Sequence, residues 1–292
     1  MKRVSAVKII GSIGLVISML LSGCTTSITD NNVSGNDLTA TEVIRLMGNG
    51  INLGNTLEAY NHKSYVDSGV NPTSFETLWG QPVTTRDMID DMKAMGFDTL
   101  RIPVAWTNGI NYESGDYPID ERLMNRVDEV VNYALDADMY VILNDHWDGS
   151  WWGMFGSGDE AVREKGMALY KSIWTQLCEH FSDYSYKLIF ESANEELCHR
   201  LNDSDVTGTE GVLSEDECYE TTNRINSEFV KLVRSTGGKN ADRFLLIAGY
   251  NTDFRKTCDD RYQMPEDTAK DKLLLSVHYY TPWDYCSDGN AK

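Results

Sequence analysis

Chemistry first shows itself at Leu188–Glu196, LIFESANEE, where a short apolar run ends in an Asn194-Glu195 pair. Such a run reads as a buried strand, with Glu195 delivered at its C-terminal end. A carboxyl in a partly dry, aromatic-lined cleft is expected to have a raised pKa, stay protonated and donate to a leaving oxygen. Asn194 beside it could hold a substrate hydroxyl. Acid-assisted cleavage of a glycosidic bond takes a second carboxylate facing the same bond. No glutamate follows Glu266, so that nucleophile is expected beyond Lys292, and the chain reads as incomplete at its C-terminus. Glu191, Glu195 and Glu196 could equally form a solvated, charged loop, and their company has to decide.

Arg101 lies in GFDTLRIPVAW (Gly96–Trp106), inside an otherwise apolar run. A buried guanidinium must meet a carboxylate, either in a structural ion pair or as the neighbour that keeps a nucleophile ionised. His146, in VILNDHWDG (Val141–Gly149), and His278 with Tyr280, in LSVHYYTPW (Leu275–Trp283), end two further runs. Two histidines converging with a Tyr, an Asn and a Glu read as a site. Metal binding by His146, Asp148 and His278 competes, but no HxH or HExxH pair sets two ligands on one element. Neither a metal nor a cofactor is expected. Trp106, Trp147, Trp151, Trp152 and Trp283 fall at or just beyond run ends. Indoles lining a cleft stack on pyranose faces, and several of them suggest several sugar subsites, hence a polysaccharide.

The elements that must position these residues are six apolar runs, Gly50–Gly54, Thr99–Val104, Tyr140–Asn144, Leu188–Glu191, Phe244–Ala248 and Leu273–Val277. They do not alternate, which is the pattern of parallel strands covered on both faces. Helical periodicity lies between them. Thr85–Met95 places Met88, Ile89, Met92 and Met95 on one face; Asp120 caps a second helix; Asp159–Phe181 and Glu215–Ser235 follow. Asn55, Trp106, His146, Glu195, Tyr250 and Tyr280 come after successive strands, which is how a (β/α)8 barrel builds its site. Gly50-Ile-Asn-Leu-Gly54 lacks the GxGxxG spacing of a doubly wound dinucleotide fold. The fold class expected is α/β, a (β/α)8 TIM barrel with about six of eight units in this chain.

Lys2, Arg3 and Lys8, the apolar Ile9–Leu21 and the LSGC tetrad ending at Cys24 describe an export signal over residues 1–23. Cys24 is then the expected lipidation site, and the chain an exported lipoprotein of the cell surface or periplasm, or otherwise secreted. Residues 25–37 read as a flexible tether and 38–292 as one catalytic domain. The net charge of −19, from 26 basic and 45 acidic residues, repels nucleic acid and anionic lipid and suits a neutral substrate. Membrane contact is expected only through the lipid, and the complete protein is expected to be a monomer. Cysteines 178, 198, 218, 258 and 286 show no CxxC spacing; Cys198 and Cys218 flank a polar loop and could pair.

With these segments GINLGNTLEA (Gly50–Ala59), ETLWGQPVTT (Glu76–Thr85), RFLLIAGY (Arg243–Tyr250) and VHYYTPWDY (Val277–Tyr285) run in order through the chain. Together they resemble glycoside hydrolase family 5, with the nearest likeness to its subfamily 4 endoglucanases. The resemblance implies a retaining endo-β-1,4-glucanase acting on cellulose or related β-glucans. Glu195 would be its acid/base, and Asn194 would contact the hydroxyl beside the anomeric carbon. Arg101 and Tyr280 would support the nucleophile, and His146 and His278 would shape the central subsite. Two departures stand out: Trp147 and Glu196 occupy places where the family commonly has histidine and proline. A xyloglucanase, licheninase, mannanase or xylanase of the same fold is an alternative, and a non-catalytic carbohydrate-binding barrel is an alternative of another class.

Overall fold

The computed structural model describes residues 35–60, 71–110 and 115–286. The strands are β1 (Gly50–Asn52), β2 (Thr99–Ile102), β3 (Tyr140–Asn144), β4 (Leu188–Glu191), β5 (Leu245–Asp253) and β6 (Leu273–His278). The helices are α1 (Ala40–Leu46), α2 (Thr73–Glu76), α3 (Arg86–Ala94), α4 (Glu121–Asp136), α5 (Glu160–His180), α6 (Glu215–Ser235), α7 (Phe254–Thr257) and α8 (Trp283–Cys286). The export signal and Cys24 lie outside the described residues. Lys272 Nζ donates to the carbonyl of Gly35 at 2.9 Å, so packed structure already includes the last residues read as tether.

All six strands are parallel and pair in sequence order from β1 to β6. Outward-facing Leu100, Ile102, Val141, Leu143, Leu188, Phe190, Leu245 and Ile247 are buried with the helices in one large core. Inward-facing Tyr140, Ile142, Ile189 and Leu274 form a second cluster with Leu38 and Val43 at the N-terminal end of the sheet. Burial on both faces is why these strands read as continuous apolar runs rather than alternating ones. Parallel strands flanked by outer helices and filled on the inner face are the (β/α)8 architecture expected.

α1 and α3 to α7 start where short polar side chains take their first free N–H groups. Asp120 accepts from Arg122 N at 2.8 Å. Ser214 and Glu217 bond reciprocally at the head of α6. Trp174 of α5 locks the outer layer, with its ring 4.6 Å from Phe229 of α6 and 5.5 Å from Phe190 of β4. Two expectations change. Met95 is 73% exposed, because α3 ends at Ala94 and Met95 caps it rather than continuing the buried face. β5 runs past Ala248 through an irregularity to Asp253, and this turns Tyr250 away from the rim to stack on Tyr219 at 3.6 Å.

Candidate active site

The register brings the polar residues of neighbouring strands to one rim. Asn52 lies opposite Arg101, Arg101 opposite Ile142, and Asn144 opposite Glu191. Above them opens a cavity of about 540 Å³ whose walls include Arg101, His146, Trp147, Asn194, Glu195, His278 and Tyr280, together with Asn52, Glu58, Glu191 and Ser276. Seven of the residues expected at the site therefore share one cleft.

Glu195 stands in it on two supports. His278 Nδ1 lies 2.7 Å from Glu195 Oε1, and the Tyr280 hydroxyl donates to the same oxygen at 3.1 Å. The outcome for its acidity reverses the expectation. The hydrogen bond from His278 lowers the Glu195 pKa and outweighs the burial that raises it. In the open cleft Glu195 is thus held as a carboxylate rather than as an acid.

Arg101 finds its carboxylate within the sheet. Its Nε donates to Glu191 Oε2 at 2.7 Å, and the Glu191 side chain has no exposure at all. Asn144 Nδ2 donates to the same oxygen at 2.9 Å and Ser276 Oγ to Oε1 at 2.8 Å. The guanidinium therefore needs no partner from beyond Lys292, and the structural ion pair weighed above is the reading that fits. The free edge of Arg101 reaches Asn194 Oδ1 at 3.0 Å and Asn194 Nδ2 donates to Glu196 Oε1 at 3.5 Å, which fixes that amide and leaves its second N–H uncommitted.

Burial pushes the His146 pKa well below its ordinary value, with the charges of Arg101 and His278 adding to the effect. Asn144 Nδ2 sits 3.3 Å from His146 Nδ1. Since the amide nitrogen can only donate, Nδ1 accepts and Nε2 carries the proton. Asp148 turns away from the cleft, fully buried against the Thr107 amide at 2.9 Å and the Trp151 indole N–H at 3.2 Å. Among the described residues no group of three or more His, Cys, Asp or Glu could hold a metal ion.

Three tryptophans expected as sugar platforms are core residues. Trp106 and Trp151 are 0% exposed and Trp152 is 1% exposed. The segment after β3 folds back as a 3-10 helix (Asp148–Gly156) that stacks Trp151 on Trp152 at 4.4 Å. Trp106 points inward to donate to the Asn144 carbonyl at 2.9 Å. Trp147 does line the cleft. Trp283 is 64% exposed, with its ring edge-on to Tyr280 at 6.0 Å. Asn55 is exposed and off the wall; its backbone N–H serves Glu58 instead. Cys198 and Cys218 are buried, unpaired thiols, and Cys198 Sγ donates to Asn251 Oδ1 at 3.1 Å.

Sequence reasoning passed over three buried carboxylates or their roles. Glu58 sits in the cleft wall, accepts from Thr56 N at 2.8 Å, and has its pKa raised by burial. Glu191 closes the Leu188–Glu191 run, and its pairing with Arg101 has no signal in the sequence. Glu196 is 3% exposed and burial pushes its pKa up to about 7. The strand-end position of Glu191 and the placing of Glu58 four residues after Gly54 were the available signals.

Residues 63–292 match the family model described as cellulase, glycosyl hydrolase family 5. The chain belongs to glycosyl hydrolase family 5. This family 5 chain is 35% identical over 269 residues to Endoglucanase A of Paenibacillus barcinonensis, covering 87% of the chain and 61% of that relative. It is also 35% identical over 259 residues to a xyloglucan-specific endo-beta-1,4-glucanase of Bacteroides ovatus, covering 88% and 48%. The chain thus spans roughly half to three-fifths of the length of these two relatives. Among solved structures, a GH5-4 broad specificity endoglucanase from Ruminococcus champanellensis with bound cellotriose superposes with a TM-score of 0.73 at 37% identity, over 85% of this chain and 68% of that one. A Prevotella bryantii family 5 enzyme in complex with a xyloglucan tetradecasaccharide gives 0.71 at 32% identity, over 85% and 68%. Within family 5 the likeness runs to subfamily 4.

Proposed function

We propose that this family 5 chain acts as a retaining endo-β-1,4-glucanase on cellulose or related β-glucans, with Glu195 as its acid/base. The observation that carries this reading is Glu195 at the rim after β4, its Oε1 held by His278 and Tyr280 beside Asn194 in an open polar cleft. A sugar entering the cleft displaces water and strengthens the desolvation that already opposes the His278 bond. Glu195 takes up its proton as the cleft fills and passes it to the glycosidic oxygen as that C–O bond breaks. In the second half of the reaction it accepts a proton from the water that attacks the anomeric carbon. Asn194 Nδ2 and the Nε2–H of His146 supply donors for ring hydroxyls, and Trp147 and Trp283 supply ring faces.

A retaining reaction also needs a carboxylate that attacks the anomeric carbon. Neither other carboxylate in the cleft wall is free to do so. Glu191 has both oxygens committed, and Glu58 is turned onto the amides of Asn55 and Thr56. The mechanism therefore calls for a carboxylate that the described residues do not supply.

The relatives named endoglucanase and xyloglucan-specific glucanase support a β-glucan substrate over mannan or xylan. Export through residues 1–23, a lipid on Cys24 and a monomeric state complete the reading. Palmitate labelling that is lost in Cys24→Ala tests the lipid.

Incubation with cello-oligosaccharides, xyloglucan, mixed-linkage glucan, mannan and xylan tests the activity, with anomeric products followed by proton NMR. Cleavage of β-glucans with retention is expected. Inversion, or turnover of mannan or xylan alone, overturns the reading. Binding of cellulose by the complete protein without any reducing-sugar release favours a non-catalytic barrel.

A further inference from the structure

The chain makes a tight turn just after β3. Trp147 has φ 60° and ψ −48°, and the Asp148 N–H closes onto the His146 carbonyl at 2.7 Å. This is a γ-turn of the positive-φ hand, which is rare and strained. A bulky side chain in such backbone is an outlier that persists only where its surroundings over-determine it. Here they do. The Trp147 N–H donates to Glu196 Oε1 at 2.8 Å, and the Arg200 guanidinium lies 3.9 Å from the centre of the indole. The other oxygen of Glu196 accepts the Asn194 N–H at 2.8 Å. One buried carboxylate therefore spans the loops after β3 and β4, and it grips the residue immediately before Glu195.

We propose that Glu196 is a positioning residue for the sugar site. It sets Trp147 and the Asn194-Glu195 pair relative to each other, and it holds the indole in the cleft wall against the strain of its own backbone. Glu196 lies outside the cleft wall; it acts through the groups it accepts from, the backbone N–H of Trp147 and of Asn194 and, at 3.5 Å, Asn194 Nδ2. Glu196→Ala leaves two amides without their acceptor, and the turn can then relax toward unstrained backbone and carry the indole with it. The consequence for sugar binding rests on the glucanase reading above, whereas the bridge itself does not.

Amide hydrogen exchange of the full chain tests the bridge without any sugar. In Glu196→Ala, exchange at both Trp147 and Asn194 should speed up at least about tenfold, while Val141–Leu143 of β3 keep wild-type protection. Glu196→Gln retains one acceptor oxygen, so only one of the two amides should lose protection; this variant also decides the matter if the alanine variant fails to fold. Unchanged exchange at both amides in either folded variant overturns the proposal. Cellotetraose titration then reads the positioning role. The expected result is affinity weakened about tenfold in Glu196→Ala, with partial recovery in Glu196→Gln. In the Trp147→Ala background, Glu196→Ala should cost much less than it does alone. Full additivity overturns the positioning role, as does wild-type affinity in Glu196→Ala. If the wild-type chain binds no β-glucan, the glucanase reading fails, and the exchange result still judges the bridge.

Discussion

His278 and Glu195 meet at 2.7 Å across the rims of β6 and β4, and this bond, ahead of burial, draws the Glu195 carboxyl below its ordinary range. A general acid works only while protonated, so the alkaline limb of kcat/KM follows its pKa in the free protein. His278→Phe removes the largest lowering influence while burial stays, so that limb should move to higher pH. A depressed carboxylate pKa also contributes stability that is present above the unfolded value of 4.5 and lost as pH falls through the folded value. The same variant should therefore lose part of its stability advantage at neutral pH over acid pH. A pH-rate profile set beside thermal melts checks both, and an unmoved alkaline limb counts against the assignment.

Arg101 and Glu191 form an ion pair in which the carboxylate is fully shielded. Removing one partner strands the other charge, so Arg101→Met should cost about 3–5 kcal/mol of stability. Arg101→Met combined with Glu191→Leu should cost less than the sum of the two single changes. Urea unfolding of the three variants measures this, and strict additivity contradicts it.

Behind the cleft, burial raises Glu196 to about 7 and Asp145 well above its ordinary value, the latter with Asp148 and Glu196 adding to the effect. Both pKa values lie above those of the unfolded chain, so the folded state holds more protons. For Glu196 the stability so gained is fully present below 4.5 and is lost as pH rises through about 7, on the order of 3 kcal/mol. The melting temperature should therefore fall across that window. Glu196→Gln, which has no proton to lose, should flatten the fall, and calorimetry at a series of pH values reads the difference.

The tryptophans divide by burial. Trp151→Ala empties a packed position and should cost about 3–5 kcal/mol of stability. Trp283→Ala should leave stability nearly unchanged and weaken cello-oligosaccharide binding several-fold. Melting and titration of the two variants give opposite results if the division holds.

The strands and their caps were legible because each is a local signal. A run buried on both faces looks apolar throughout, and Asp120, Asp159 and Thr85 each stand one residue before the helix they cap. The convergence of Glu195, Asn194, Arg101, His146, His278 and Tyr280 was legible for the same reason, since a strand end fixes a place on the rim. What stayed hidden depends on the inner curvature of the sheet. Arg101 on β2 meets Glu191 on β4 across the intervening strand, a pairing that no spacing reveals. Trp151 follows a strand end as Trp147 does, and only the fold-back of Asp148–Gly156 makes one a core residue and the other part of the wall. The largest influence on the Glu195 shift is a 2.7 Å contact with a residue 83 positions later.

The role of Glu195 is tested most directly in the complete protein, by the turnover of Glu195→Gln on two substrates. On cellohexaose, whose leaving group needs a proton, turnover should fall by a factor of order 10²–10⁴. On an aryl cellobioside with a good leaving group, the first step should lose far less, while folding and cellotetraose affinity stay close to wild type. Wild-type turnover of cellohexaose by Glu195→Gln would contradict the account and remove Glu195 as the acid.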